Sequence, residues 1–366
     1  MQENLKKDRI YLLLKQRILR GEYTPGMRLP KELEFSRELQ VAKVTLRSAL
    51  ARLEAEGLVE RLPSKGTFVS GESTPNTILV VISQKTGIHL PYQYIVPGIT
   101  AAATESGYKI EFCFVEYIRG LGPEKAVEHL KKKQLFGTLL VDSMYLGHEP
   151  EIEVFHRLGL PILVVHPRLD DHLTTGFSTL VTDTRQAWRD GIKHLADNGF
   201  EDVRILEASS GSRYWNSEEY PGLFQELGLC THGRISYSTG LNGADMDASV
   251  VKAVLEDRLL KENPRVRAIF CHSDFYAIEV MKALASRHYR IPEKIAVMGY
   301  CGYPGNVMLD PPLSTIDLGY MDIGRMAVKL LPDCSEGKAV QHFSPYQVIG
   351  RCSTENPAWL QCAGEG

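Results

Sequence analysis

The chemistry most legible in this sequence is non-covalent and lies in the first seventy residues. After a break at Gln40-Val41-Ala42, the run from about Lys43 to Glu56 sets Leu46, Ala49, Leu50 and Leu53 at helical spacing on one face. The other face carries Lys43, Val44, Thr45, Arg47 and Ser48, short or cationic side chains of the kind that enter a major groove and reach base edges. Arg47 is the side chain expected to matter most. The elements needed to hold that helix surround it. Ile10, Leu13, Leu14 and Ile18 form an apolar stripe ended by Gly21, Pro25-Gly26 marks a turn, Pro30 opens a second helix over about 31–39, and Gly57 ends the third. Leu58–Glu60 and Thr67–Ser70 alternate as strands around Arg61-Leu62-Pro63-Ser64-Lys65-Gly66, a hairpin with a basic tip. Three helices and a hairpin make a winged helix-turn-helix, in which Lys65 and Thr67 reach the backbone from the wing.

Charge follows the same division. Residues 1–70 hold fourteen Lys and Arg against nine Asp and Glu, a surplus of five positive charges, while the chain as a whole is at −3. A basic head on an acidic body suits phosphate contact without indiscriminate adhesion to nucleic acid. At 366 residues, 43% hydrophobic and 24% charged, the chain is a globular protein of more than one domain. It has no apolar run long enough to span a bilayer, and its opening MQENLKKDRI lacks the apolar stretch of a secretory leader, so a cytoplasmic protein with no membrane partner is expected. The seven cysteines never form a CxxC pair, which argues against a disulfide framework or metal site. The GxSxG, HExxH, P-loop and GxGxxG patterns are missing, so neither an enzyme nor a cofactor is expected.

Residues 71–77 are small, polar and turn-prone and separate the head from a different pattern. Short β-rich runs then alternate with amphipathic helices: Ile78–Ser83, a helix to Ser106, Lys109–Phe114, Pro123–Lys132, Gly137–Val141, Glu149–Leu158 and Ile162–His166. A second series starts at Leu180 and runs through Thr184–Asn198, Asp202–Leu206, Glu218–Leu227, Asp247–Glu262, Ala268–Cys271, Asp274–Ser286 and Lys294–Gly299. Continuous apolar strands between such helices imply an α/β body of two doubly wound parallel sheets, one per lobe, with a ligand cleft at the carboxyl ends of the strands.

Residues 8–70 closely resemble the DNA-binding domain of the GntR family. The matching run includes Ile18, Gly21, Tyr23, Pro25-Gly26, Arg28-Leu29-Pro30, Glu32, Leu39, Val41, Thr45-Leu46-Arg47, Ala49-Leu50, Leu53, Glu56-Gly57-Leu58-Val59 and Gly66-Thr67-Phe68-Val69. Three departures fall where members of that family often touch DNA: Lys31 follows the proline, Ala42-Lys43 replaces a Ser-Arg type pair, and Ser64 replaces the first glycine of the wing tip. Lys43 keeps the charge but loses the fork of arginine, which favours a phosphate contact over a guanine contact. The resemblance thus implies a DNA contact set of Lys31, Ala42, Lys43, Val44, Thr45, Arg47, Ser64, Lys65, Gly66 and Thr67.

Residues 78 to about 350 resemble the effector domain of the LacI family, which is similar to type I periplasmic sugar-binding proteins. The resemblance rests on Pro97-Gly98-Ile99, Phe136-Gly137-Thr138, Val181-Thr182-Asp183, Gly199-Phe200 and Ser273-Asp274. It is strongest from Ile291-Pro292 through Gly299-Tyr300, Pro311-Pro312-Leu313-Ser314-Thr315-Ile316 and Gly324. A GntR head on a LacI-type body resembles the arabinose repressors of Gram-positive bacteria. The resemblance implies a head at 1–70, a linker at 71–77 and a body at 78–366. Lobe 1 then spans about 78–178 plus 301–316, and lobe 2 about 179–300 plus 317–366. It further implies a homodimer on operator DNA, with a sugar-like effector in the cleft. Cys301-Gly302 stand where acidic residues are usual and Asp317-Leu318 where polar Arg or Gln is common, so an ordinary monosaccharide is not assured. The candidate ligand residues are Tyr92, Tyr94, His166, Arg168, Asp183, Arg213, Trp215, Glu219, Ser273 and Asp274. Trp215 either stacks on a sugar face or packs between lobes; Asp183 and Asp274 either meet ligand or cap helices. A repressor relieved by ligand is expected, with an activator, or a regulator whose sensor survives as a dimerisation scaffold, left open.

Overall fold

A computed structural model describes residues 2–19, 22–63, 65–70, 75–82, 91–141, 145, 147–208, 220–229, 234–237, 267–334 and 339–355. In the head, α1 (Gln2–Leu19), α2 (Glu32–Glu38) and α3 (Lys43–Ala55) precede β1 (Val59–Leu62), which pairs antiparallel with β2 (Gly66–Val69). The stripe foreseen on α1 meets that of α3: Ile10, Leu14, Ile18, Phe35, Leu46, Leu50 and Leu53 share one buried core with Leu58 and Val69. Arg28 bridges to Phe68 on the free side of β2, so the segment before α2 is pinned to the wing.

The body begins with β3 (Thr77–Ile82), α4 (Tyr92–Ser106), β4 (Lys109–Phe114), α5 (Val115–Leu121), α6 (Pro123–Lys131), β5 (Leu135–Val141), α7 (Pro150–Leu158), β6 (Ile162–Val165), α8 (Asp171–Thr175) and β7 (Ser178–Thr182). It continues with α9 (Thr184–Asp197), β8 (Asp202–Ala208), α10 (Tyr220–Glu226), β9 (Arg234–Tyr237), β10 (Arg267–Cys271), α11 (Asp274–Ser286), β11 (Ile295–Cys301), β12 (Ser314–Asp317), α12 (Tyr320–Leu330), β13 (Gln341–Ser344) and β14 (Gln347–Ile349). The helix expected over Asp247–Glu262 lies outside the described residues. Among the described residues the strands form two six-stranded sheets, ordered β13-β7-β6-β5-β3-β4 and β14-β12-β11-β10-β8-β9. All pairings are parallel except β12 with β14. Ile78 to Val81 are four consecutive residues without exposure, as a strand covered on both faces requires.

Two lobes form, but their boundaries differ from the expected ones. β7, which includes Leu180, belongs to the first sheet, so the second lobe starts only at α9. β12, expected in lobe 1, lies in the second sheet. The segment 317–366, expected in lobe 2, divides: α12 and β13 return to lobe 1, and β14 goes to lobe 2. The chain therefore crosses between lobes after β7, after β12 and between β13 and β14. Thr182 Oγ1 and Ser344 Oγ, at the ends of β7 and β13, lie 2.9 Å apart and tie two of these crossings together.

The return of α12 has a steric cause. α4 and α12 approach until backbone meets backbone, with glycine on both sides of the contact. A Cβ on Gly98 would lie 1.9 Å from the Met321 carbonyl oxygen, and one on Gly324 would lie 2.2 Å from that of Ile95. This pairing buries the apolar face of α12, through Ile323, Ala327 and Val328, in the core that contains Ile95, Ile99 and Ala103 of α4.

Candidate DNA interface and inter-lobe cleft

Lys31, Ala42, Lys43, Val44, Arg47 and Lys65 are exposed, and Gly66 and Thr67 half-buried. Val44, at 68% exposure on the first turn of α3, is an apolar group standing in water, the kind that meets a thymine methyl. Lys31 and Ala42 occupy the N-cap positions of α2 and α3, and neither caps with its side chain. The first-turn N–H groups of both helices are thus not taken by a cap and suit phosphate oxygens. Thr45 is the correction: it faces the core of the head at 8% exposure beside Leu46 and Ala49, and does not stand on the exposed face. Ser64 lies outside the described residues.

Arg47 is not idle. Its Nε donates to Glu32 Oε2 at 2.7 Å, and its carbonyl accepts from Arg61 at 3.1 Å, while Arg61 also faces Glu54 at 3.4 Å. These contacts bring the start of α2, the middle of α3 and the base of the wing into one charged surface. Glu32 and Arg61 were not among the expected contact residues, although both stood in the sequence at the start of the second helix and of the basic hairpin. An exposed pair such as Arg47–Glu32 contributes about 0.2–1 kcal/mol, less than the about 1–3 kcal/mol of a bidentate base contact, so DNA can take Arg47 from Glu32.

In the body, the strand ends of the two lobes face each other across a belt of rings. Tyr94 of α4 lies 4.7 Å from Tyr303, centroid to centroid, and Tyr303 lies 4.7 Å from Phe275 and 5.6 Å from Tyr320. His166, just beyond β6, meets Tyr320 edge-on at 5.2 Å. Tyr94, His166 and Tyr320 come from lobe 1 elements and Phe275 and Tyr303 from lobe 2, so the belt spans the cleft. Tyr92, half-buried on the first turn of α4, packs against the same core. Ser273 is buried just before α11, and the Cys301 thiol is buried at the end of β11. Burial and the nearby Asp274 carboxylate push that thiol well up, so a neutral group stands there. Tyr303, Tyr320 and Phe275 were missed by sequence reasoning, because only the topology shows that loops after β11 and β12 point at α4.

Other expected ligand residues turn out to be engaged elsewhere. Arg168 holds Asp171 Oδ1 at 3.1 Å and the Tyr145 carbonyl at 2.6 Å, within lobe 1. Asp183 caps α9 by accepting from the Gln186 N–H at 3.0 Å, the capping role that had been left open. Asp274 has no exposure; it accepts from Thr315 Oγ1 at 2.6 Å and the Tyr303 N–H at 2.8 Å. Burial raises its carboxyl to about 6 against the lowering effect of those donors. It positions Tyr303 from beneath and does not itself line the cleft. His166 is buried with a left-handed φ of 58°, and burial lowers its ring to about 4, leaving it neutral. Arg213, Trp215 and Glu219 lie outside the described residues. Among the described residues, no group of three His, Cys, Asp or Glu is placed to hold a metal ion, and no helix is long and apolar enough to cross a membrane.

The surface built by α2, α3 and the wing has its counterpart among known proteins, because residues 6–69 match the bacterial regulatory proteins of the gntR family. The chain carries a gntR-family domain. Behind the gntR-type domain, residues 192–354 match the periplasmic binding protein-like domain. An arabinose metabolism transcriptional repressor of Geobacillus stearothermophilus is 23% identical over 348 residues, covering 90% of this chain and 92% of the relative. An HTH-type transcriptional repressor, PurR, of Actinobacillus pleuropneumoniae serotype 3 is 24% identical over 244 residues, 65% of this chain and 68% of the relative. Among solved structures, a transcriptional regulator CelR–cellobiose complex superposes with a TM-score of 0.60 at 20% identity, over 86% of this chain and 92% of that one. The gntR-type domain thus heads a periplasmic binding protein-like, two-lobed body, and the curated relatives named here are transcriptional repressors.

Proposed function

We propose that this protein is a cytoplasmic, homodimeric transcriptional repressor whose operator affinity is set by a small ligand, a carbohydrate or related metabolite, held in the inter-lobe cleft. The observation that carries the reading is the pairing of an exposed recognition face, centred on Arg47, with a belt of rings where two lobes, each built on its own sheet, meet. Lys31, Lys43, Val44, Arg47, Lys65 and Thr67 are assigned to DNA, and Tyr92, Tyr94, Tyr303, Tyr320 and Ser273 to the ligand. Flat rings stack on the apolar face of a sugar or on a planar base, and hydroxyls give it orientation. Pairing of two chains is supported by apolar side chains left exposed on both lobes: Phe112, Phe114 and Tyr117 on lobe 1, and Val307 and Met308 on lobe 2. Two heads would then meet two half-sites of an approximately palindromic operator.

The test has two steps. Thermal-shift measurements against sugars, sugar acids, sugar phosphates and nucleosides find the ligand by the rise in melting temperature it causes. A gel-shift titration with operator DNA, with and without that ligand, then reads the coupling. A ligand that raises the melting temperature and weakens operator binding is the expected result. A ligand that binds and leaves operator affinity unchanged overturns the regulatory reading. The rival, a ligand-independent regulator with the body as a scaffold, is favoured by one observation: the Tyr303 ring already fills the gap between Tyr94 and Phe275. It predicts no thermal shift with any compound.

A further inference from the structure

The head and lobe 1 meet at a buried ammonium. Lys15 of α1 is 6% exposed, and its Nζ lies 3.0 Å from Glu56 Oε2 and 3.2 Å from the Tyr11 hydroxyl, both in the head. The same nitrogen stands 5.4 Å from the centre of the Tyr108 ring and 5.7 Å from that of Phe136, both in lobe 1. Tyr11 closes the group by donating to Glu56 Oε1 at 2.5 Å. Burial alone would push the lysine down, but Tyr108, Tyr11 and Glu56 together raise it above its ordinary value, so it stays charged. A charged, desolvated ammonium set against two neighbouring aromatic rings makes a cation–π contact.

The remainder of the junction is not packed like a core. A cavity of about 370 Å³ lies beside Lys15, bounded by Glu56, Leu58, Pro75, Tyr108 and Phe136. The Lys15 contact thus stands beside a gap in the packing between head and lobe 1. Its ends also sit at informative points. Glu56 is the C-cap residue of α3, the helix that carries Arg47. Tyr108 follows Gly107, the C-cap of α4, and the opposite end of α4 carries Tyr92 and Tyr94 at the cleft. A helix of 15 residues spans about 22 Å, so one rigid element runs from the cleft to the junction.

We propose that Lys15 is a latch that fixes the recognition helix to lobe 1, making α3, α4 and the lobe 1 sheet move as one body. The docking does not depend on any operator or ligand; its use in signalling rests on the function proposed above. In the full-length protein, a fluorophore placed through a non-natural amino acid at the exposed Glu34 of α2 reports how the head tumbles, by time-resolved anisotropy. The wild-type chain should show only the slow correlation time of the whole particle. Lys15→Met, and independently Phe136→Leu on the other side of the contact, should add a second, faster component, with unchanged circular dichroism. A fast component already present in the wild type, or a purely slow decay in both variants, overturns the latch. Neither result bears on whether DNA or ligand binds, so failure of the latch is distinguishable from failure of the repressor reading.

Discussion

In the proposed complex Glu32 competes with DNA for Arg47, and two substitutions separate the two partners. Arg47→Ala removes the base or phosphate contact and should weaken operator binding about 10- to 100-fold, corresponding to about 1–3 kcal/mol, with the far-ultraviolet spectrum of the head unchanged. Glu32→Ala removes only the partner that holds Arg47 at 2.7 Å in the free protein, and should tighten binding a few-fold. Both are read by gel shift at one fixed salt concentration, because phosphate contacts make any affinity salt-dependent. The exposed placement of Arg47 was legible in the sequence because it lies off the face of Leu46, Ala49 and Leu50 on a helix whose apolar face is unambiguous. Thr45 was not: it sits at the margin of that face, and only the packing of α1 and α2 against α3 decides that it is covered. Asp274 failed for a related reason. An acid opening a helix reads as a cap or a ligand group, and nothing local shows that Gly299 and Thr315 bury it; a Cβ on Gly299 would lie 2.1 Å from its Oδ1.

At the scale of elements, the contact between α4 and α12 is the most demanding in the body. Gly98→Ala or Gly324→Ala places a methyl within 2.2 Å of a backbone oxygen that has no side-chain freedom to yield. Forcing atoms into a packed contact costs about 1–3 kcal/mol, which for a body of this size lowers the melting temperature by about 2–5 °C. A control at Gly222, where an added Cβ meets nothing within 4 Å, should leave the melting temperature within a degree or two. The same contact explains what the sequence could and could not show about the lobes. The alternation of strands and helices was readable because apolar runs such as Ile78 to Val81 are contiguous. Sheet membership was not, since β7 and β12 look alike as short β-rich runs, and their partners are chosen by crossings set at Asp183, Gly319 and Tyr346. Gly98 lets α12 close on α4 in lobe 1, and a glycine in a sequence does not say which helix approaches it.

For the molecule as a whole, buried titrating groups set opposing pH dependences. His166 and His272 are lowered to about 4 by burial, so between pH 6.5 and 4 the unfolded chain binds the protons that the folded chain refuses, and stability falls on acidification. His194, lowered by burial as well, acts in the same direction. Asp274, raised to about 6, contributes stability that is present in full below about pH 4 and is lost as the pH rises through 6, and Asp171, also raised by burial, acts in the same direction. The three histidines outnumber these two acids, so the melting temperature should drop from pH 7.5 to pH 5. Asp274→Asn, which removes the opposing contribution, should steepen that drop, and His272→Asn should flatten it; a shallower slope in the Asp274 variant would contradict the assignment. Lys15 carries a different consequence, for the making of hybrid regulators. Grafting a foreign winged helix ahead of residue 77 preserves the cleft and both sheets, yet discards Lys15, Glu56 and Tyr11 while Tyr108 and Phe136 stay behind. Such a chimera would recognise its new operator and bind the effector without connecting the two, until the donor head is given a lysine and a carboxylate at the matching positions.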